Sequence, residues 1–150
     1  VKHCRAGEHM ILVTERGQSA RFGVDFVIVG VDNDPAVLHL ARAAGWLPEN
    51  VEVVVADVFE FVQATRLPSE ARFDYVAIDL FRGEEFIGRA LNKTFLRRVR
   101  ALTAPRGRVV INLFRDRHSA ERIERIGALF DIQRQIGVGG NVVIHARRMR

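Results

Sequence analysis

Three aspartates stand at or beside the ends of apolar runs that are typical of buried strands: Asp32, Asp57 and Asp79. Strands that are covered on both faces of a parallel sheet have continuous apolar runs rather than alternating ones. Open α/β sheets bind their ligands at the carboxyl ends of their strands. Carboxylates placed there can accept strong hydrogen bonds from hydroxyl groups or act as general bases. Three acids in phase with strand ends therefore predict a ligand site along one edge of a sheet.

The turn after the first run, Asp32-Asn33-Asp34-Pro35, contains two acids with different explanations. Asp34 before Pro35 is typical of a helix start, with the acid as N-cap and proline at the first helical position. Asp32 lies between the strand and the cap, so the helix start does not account for it. An acid at this position commonly receives the hydroxyl pair of a ribose. Asp32 is therefore a candidate ribose ligand, and the alternative is a solvated turn residue.

Strand and helix patterns alternate along the chain. The predicted strands are residues 10–14, 26–31, 51–56, 73–80, 108–114, 131–136 and 142–146, and the predicted helices are residues 36–44, 58–66, 94–102 and 119–129. This alternation predicts a Rossmann-like α/β fold, a mostly parallel sheet with helices on both faces. Right-handed crossovers would bring the three acids to the same edge. The last two strands flank GVGGN, which predicts a closing antiparallel hairpin rather than a phosphate loop.

The composition indicates an ordinary globular protein. At 150 residues, with 48% hydrophobic and 27% charged residues, the chain is expected to be a single domain, with residues 1–9 as a flexible tail. The single Cys4 excludes an internal disulfide. With no secretory pattern and no apolar stretch of roughly 18 residues, this predicts a cytoplasmic protein without a membrane span. His3, Cys4 and His9 match no standard metal spacing, so no metal site is predicted.

The net charge of +5 suits anionic ligands or nucleic acid. Residues 97–100 (RRVR) and the basic tail could hold phosphates, but a solvated helix face and tail are favoured. Aromatic side chains that would stack on bases are not interleaved with these cations. A nucleic-acid partner is therefore possible in principle and not favoured.

From about residue 25 to residue 146 the chain resembles the spermidine synthase branch of the class I, S-adenosylmethionine-dependent methyltransferases. The segments that carry the resemblance are VGVDNDPAVLHLAR, VEVVVADVFEFV, FDYVAIDLF, FLRRVRALTAPRGRVVINLF and GNVVIHA, in about four fifths of the chain. The resemblance implies S-adenosylmethionine or its decarboxylated form as cofactor. It implies that Asp32 holds the ribose and Asp57 the adenine amino group, and that Asp79 is the catalytic or acceptor-facing acid. The neighbours Asn33 and Val58 are assigned to the cofactor site with them.

Two features depart from that family. Residues 1–22 contain only Gly7 and Gly17 and no GxGxG pattern, so the first strand and its glycine loop are truncated or divergent, with residues 10–14 as a possible replacement strand. Arg82 stands where spermidine synthases usually carry a second acid, and a cation there should repel a polyamine. Glu84 and Glu85 either compensate for Arg82 or belong to a solvated loop.

Three functions follow as hypotheses. The first is a transferase that moves a methyl or aminopropyl group to a small-molecule acceptor such as an amine. The second is a non-catalytic domain that has kept the fold and acts as a homodimer or as a partner module. The third is a basic RNA-binding methyltransferase. Against the third, no Asn/Asp-Pro-Pro-aromatic motif follows the strand of residues 73–80, which argues against methylation of a base amino group.

Overall fold

A single β-sheet with flanking helices makes up the part of the chain that the computed structural model describes, residues 8–19, 23–47, 51–82 and 85–149. The strands are β1 (Glu8–Ser19), β2 (Gly23–Asp32), β3 (Val51–Val55), β4 (Phe73–Arg82), β5 (Glu85–Phe86), β6 (Thr103–Phe114), β7 (Phe130–Val138) and β8 (Asn141–Arg148). The α-helices are α1 (Pro35–Ala43), α2 (Val58–Ala64), α3 (Lys93–Leu102) and α4 (Ser119–Gly127), and short 3₁₀ helices span Ser69–Ala71 and Gly88–Leu91. None of these helices is long and apolar enough to cross a membrane.

The strands follow the order β3-β2-β1-β4-β6-β8-β7, and β5 pairs with β4 off this path. β2 is parallel to β3, and β4 is parallel to β6. β1 is antiparallel to both of its neighbours, so β2 and β4 run in the same direction. β8 is antiparallel to β6 and β7. Strands β2, β3, β4, β6 and β7 therefore share one direction, as the alternating pattern predicts, and β1 and β8 oppose them.

β1 differs most from the expectation. The predicted strand of residues 10–14 extends from Glu8 to Ser19, with a shift in register between Glu15 and Gln18. Glu8 and His9, which the sequence assigned to a tail, already belong to this strand. Ser19 pairs with Gly23, so three residues connect β1 to β2 where the resemblance implies a glycine loop and a helix. The described part of this first unit therefore departs from the pattern that the resemblance implies, and the sequence prediction of a truncated or divergent first strand and loop agrees with that departure.

The two faces of the sheet have different covers. Along β1, Met10 and Leu12 are 1% and 0% exposed, whereas Ile11 between them is 45% exposed. Helices α2, α3 and α4 cover the face of Met10 and Leu12, which we call the helix-covered face. Its core includes Val76, Ile78, Val109, Ile111, Leu113, Ile144 and Ala146 from the central strands. Because β2 to β3 and β4 to β6 step in opposite directions, right-handed crossovers place α1 on the other face, the α1 face.

Local sequence signals account for both ends of α1. The Asp34 carboxylate accepts a hydrogen bond from the Ala36 backbone N–H at 2.8 Å, as expected for an N-cap before Pro35. At the other end Gly45 has φ +68°, and the backbone N–H of Trp46 donates to the carbonyl of Ala41 at 2.9 Å. This is the Schellman arrangement that glycine favours after a helix. The chain therefore leaves β2 and returns toward β3 as the sequence predicts.

The closing hairpin is confirmed as well. Val138 pairs with Asn141, so the turn consists of Gly139 and Gly140 alone, and Gly139 has φ +56°. Two-residue turns of this kind require positive φ, which glycine adopts at little cost. The GVGGN segment is thus a tight turn between strands, with β7 and β8 extending into both of its flanks.

Candidate cofactor and acceptor site

The three predicted acids lie along the edge formed by the carboxyl ends of β2, β3 and β4. Asp32 is the last residue of β2, and Asp57 follows β3 after one intervening residue. Asp79 lies inside β4, three residues before its end. Met10 of β1 pairs with Val31 on one side and with Ile78 on the other. Asp32 and Asp79, each one residue further, therefore stand at the same level two strands apart, about 10 Å between backbones.

Asp32 has a local structural role that the sequence did not indicate. Its Oδ1 accepts a hydrogen bond from the Asp34 backbone N–H at 2.7 Å, which fixes the turn, and its side chain is only 7% exposed. The Asp32 carbonyl also accepts from the Ala56 N–H at 2.9 Å, so β2 and β3 are tied together up to this level. Asn33 is exposed in the same turn. The carboxylate is thus held rigidly at the strand end.

Asp57 is the N-cap of α2. Its Oδ1 accepts from the backbone N–H groups of Phe59 at 2.8 Å and Glu60 at 2.9 Å. The side chain of Val58 is fully buried in the core, so only its backbone can face a ligand. That backbone N–H lies in the first helical turn, whose donors have no intrahelical partner. A ligand at this edge would therefore meet the Asp57 carboxylate and the amino end of a helix.

Asp79 differs from the other two acids because it is exposed and a side chain from the next strand positions it. Nδ2 of Asn112 in β6 donates to Oδ1 of Asp79 at 3.0 Å. Oδ1 of Asn112 is buried, and no described residue donates to it. Asn112 was not predicted as a site residue, although the sequence contains a signal for it, since Asn112 is the polar residue that interrupts the apolar run RVVINLF.

A fourth acid, Asp116, follows β6 in the same way and was also missed. Its Oδ1 accepts from the His118 backbone N–H at 2.8 Å, and its carboxylate pairs with the Arg122 guanidinium at 3.1 Å. Partial burial by itself raises the pKa of Asp116, but the His118 hydrogen bond and the positive charge of Arg122 outweigh it and lower that pKa below its usual value. The Arg122 guanidinium also lies 5.1 Å from the centre of the Phe86 ring. Asp116 therefore fastens the loop before α4.

The position between Asp32 and Asp79 is where the glycine loop was expected. The sheet presents the amino end of β1 there, with His9 paired to Asp79, rather than the carboxyl end of a parallel strand. No glycine turn occupies this position within the described residues. Arg82 is the cation that stands where spermidine synthases usually carry an acid. In the backbone register of β4 and β5 it pairs with Glu85, and Glu84 lies outside the described residues.

A comparison with curated proteins finds a similar sequence. The polyamine aminopropyltransferase of Chromobacterium violaceum is 30% identical over an alignment of 131 residues, and the match covers 83% of this chain and 49% of that protein. The chain thus spans about half the length of this curated relative. No family model matches the chain.

Solved structures share the fold. Human methyltransferase-like protein 13, in complex with SAH, has a TM-score of 0.64 and 16% identity, over 79% of this chain and 60% of that one. The spermidine synthase of Thermotoga maritima has a TM-score of 0.57 and 15% identity, over 79% of this chain and 44% of that one. The chain therefore has the fold of the class I S-adenosylmethionine-dependent methyltransferases and of the spermidine synthases, as its motifs predict.

Proposed function

We propose that this chain binds an S-adenosylmethionine-type cofactor and transfers a methyl or aminopropyl group from it to a small-molecule amine. The observation that carries this proposal is the alignment of Asp32, Asp57 and Asp79 along one edge of the sheet. The similarity to a polyamine aminopropyltransferase supports the aminopropyl alternative and an amine acceptor. The single cysteine, Cys4, supports a reducing setting such as the cytoplasm.

The residues present fit the adenosine half of such a cofactor. Asp32 is held by the Asp34 N–H at the end of β2, where a ribose would offer two hydroxyl donors. Asp57 lies at the end of the neighbouring strand, where an adenine would offer its amino group, and the first turn of α2 adds backbone N–H donors near Val58. Asn33 lies in the turn beside Asp32 and would contact the ribose.

The methionine half has less support from the described residues. A glycine turn would let the methionine half approach the backbone closely. At this edge the described residues place the amino end of β1 where that turn was expected. We therefore infer that affinity comes mainly from the adenosine half. A decarboxylated or shortened sulfonium cofactor, which needs fewer contacts at that end, would lose less than S-adenosylmethionine itself.

Asp79 would receive the acceptor. When bound, the cofactor would supply an electrophilic carbon whose bond to the sulfonium sulfur breaks as the amine attacks, with the neutral thioether as leaving group. The amine must lose its proton before its lone pair can attack. The Asp79 carboxylate is exposed and can take that proton, while the Asn112 amide keeps it oriented by the 3.0 Å hydrogen bond. A carboxylate also attracts a positively charged amine before the proton is transferred.

Isothermal titration with S-adenosylmethionine, decarboxylated S-adenosylmethionine, methylthioadenosine and adenosine tests this proposal. We expect all four to bind, with affinities that differ little because the adenosine half dominates. Asp32→Asn should weaken each of them at least tenfold, since the variant can keep the hydrogen bond from Asp34 but lacks the charge that strengthens bonds from ribose hydroxyls.

The matched control is Asp34→Asn, which removes a carboxylate from the same turn and leaves a good N-cap. Its affinities should equal those of the wild type. If no ligand binds at millimolar concentration, the cofactor proposal is wrong. If Asp32→Asn binds as tightly as Asp34→Asn, the ribose assignment is wrong even where the cofactor binds.

The second candidate is a non-catalytic module that pairs with another copy of the chain or with a partner. One observation favours it, because apolar residues of the α1 face stay partly exposed, Ile11 among them. Sedimentation equilibrium separates the candidates, since a stable dimer without adenosine binding would favour the module. A monomer that binds adenosine would favour the transferase.

A further inference from the structure

A second cleft, which none of the candidate acids lines, combines cations with an apolar floor. It lies between the 3₁₀ helix Gly88–Leu91, α3 and the carboxyl-terminal end of α4, and its volume is about 770 Å³. The side chains of Leu91 and Leu96 are buried beneath it, and Leu129 is half-buried beside them. The cations that line it are Arg89, Lys93, Arg97 and Arg125. No carboxylate lines the cleft in the described part of the chain.

The protein neutralises these cations only in part. Arg125 forms an ion pair with Glu121 at 2.5 Å, one turn earlier in α4. The Arg89 guanidinium lies 4.1 Å from the centre of the Phe59 ring, which orients the charge without cancelling it. Lys93 and Arg97 have no charged partner among the described residues. The cleft therefore keeps an excess of positive charge.

The placement of two of these cations is unfavourable for α3. Lys93 is the first residue of the helix, where the positive end of the helix dipole disfavours a cation, and the first turn carries no acid. Lys93 and Arg97 are also four residues apart, so that like charges face each other on one side of the helix. A bound anion would relieve both repulsions. Sequences break such local rules most often where a site requires it.

We propose that this cleft binds a small organic anion that has an apolar body. A phosphate or carboxylate head would lie between Lys93 and Arg97, and the body would cover Leu91, Leu96 and Leu129. The volume is in the range of roughly 300 to 1,000 Å³ that is usual for small-molecule sites. The two head groups share the same recognition chemistry, because both are anionic acceptors for guanidinium and ammonium donors. This site is independent of the proposed transferase activity.

Isothermal titration at low salt with four probes tests the proposal: 1-naphthyl phosphate, 1-naphthoate, uncharged 1-naphthol and inorganic phosphate. At least one naphthyl anion should bind at a single site, and naphthol and inorganic phosphate should each bind at least tenfold more weakly than it does. The stronger of the two anions identifies the head group. If inorganic phosphate binds as tightly as the naphthyl anions, or if neither anion binds at millimolar concentration, the proposal is wrong.

Variants separate the cleft from general charge attraction. The double variant Lys93→Gln/Arg97→Gln should bind the stronger anion at least tenfold more weakly, and Ala128→Phe should do the same by filling the cleft while every cation remains. The control is Arg134→Gln on β7, an exposed arginine outside the cleft, which should bind like the wild type. If the double variant binds as tightly as this control, the cleft is not the site.

A second readout does not depend on affinity. Without ligand, the double variant should melt at a higher temperature than the wild type, because the repulsion within α3 is removed. With the stronger naphthyl anion present, the order should reverse, since only the wild type gains from binding. A double variant that melts lower than the wild type in the absence of ligand would contradict the argument from α3.

Discussion

The two faces of the sheet carry similar apolar side chains but bury them to very different degrees. On the helix-covered face, α2 and α3 each bury several side chains, among them Phe59, Val62, Phe95 and Val99. On the α1 face, no residue of α1 is buried, and Leu40 of that helix is 56% exposed. A continuous apolar run thus indicates a strand whose two faces can both be buried. It does not indicate that the same chain provides helices that bury both faces.

The difference originates at one connection. In the expected fold a helix follows the first strand and covers this side of the sheet, whereas here three residues join β1 to β2. So short a connection can only link antiparallel strands, because a parallel crossover needs about a dozen residues. The reversal of β1, the lack of a glycine turn among the described residues of the acidic edge and the partial exposure of Ile11 are therefore three consequences of one short connection.

The largest expected difference in stability is between alanine variants of two isoleucines on opposite faces of the sheet. Ile111→Ala, on the helix-covered face, should lower the free energy of unfolding by about 2 to 5 kcal/mol, because it leaves a cavity in a fully buried position. Ile11→Ala, on the α1 face, should cost less than about 1 kcal/mol, since its side chain is already 45% exposed. Urea denaturation of both variants measures the two losses. Equal losses would mean that the α1 face is covered in solution.

Much of this arrangement could be predicted from the sequence. The cap at Asp34, the glycine after α1 and the Gly-Gly hairpin turn depend on interactions between near neighbours, which local patterns encode. The position of Asp32 and Asp57 at the same edge of the sheet could be predicted as well, because a helix between two strands makes those strands parallel.

The rest depends on pairings between distant segments. The apolar pattern of residues 10–14 predicts a strand but carries no information about its direction, so the reversal of β1 was not foreseeable from that pattern. The contact between Asp79 and Asn112 joins residues 33 positions apart on adjacent strands, and it exists only in the register that the sheet adopts. Asp57 shows a different limit, because one side chain can both cap a helix and remain a candidate ligand.

A smaller difference is expected between the consequences of removing one helix cap on each face of the sheet. Asp34→Ala removes the cap of α1, and Asn92→Ala removes the equivalent cap of α3, where Asn92 Oδ1 accepts from the Thr94 N–H at 2.9 Å. Each cap is worth about 1 kcal/mol. Since α3 is anchored in the core, removal of its cap should lower the free energy of global unfolding. Since α1 buries no residue, removal of its cap should appear mainly as faster hydrogen exchange of the α1 amides.

Global unfolding measured by urea and amide exchange measured by mass spectrometry distinguish these outcomes. Asp34→Asn, which keeps a capping oxygen, serves as the control and should leave the exchange of α1 nearly unchanged. A full loss of about 1 kcal/mol in the global unfolding of Asp34→Ala would contradict the comparison. It would mean that α1 unfolds together with the core rather than by itself.

The smallest effect concerns the loop that fastens α4 to the helix-covered face. The pKa of Asp116 lies below its usual value because the His118 N–H and Arg122 favour the carboxylate against its partial burial. Its contribution to stability is therefore present above the unfolded pKa, near pH 4, and is lost as the pH falls through the folded value. Asp116→Asn should be less stable than the wild type at pH 6, and the gap should shrink below about pH 4. Arg122→Gln should reduce the same gap, because the guanidinium is one of its causes. Urea denaturation of Asp116→Asn, Arg122→Gln and the double variant between pH 6 and about pH 4 measures the coupling between Asp116 and Arg122. If the difference in stability between the wild type and Asp116→Asn does not change with pH, the lowered pKa of Asp116 is not its cause.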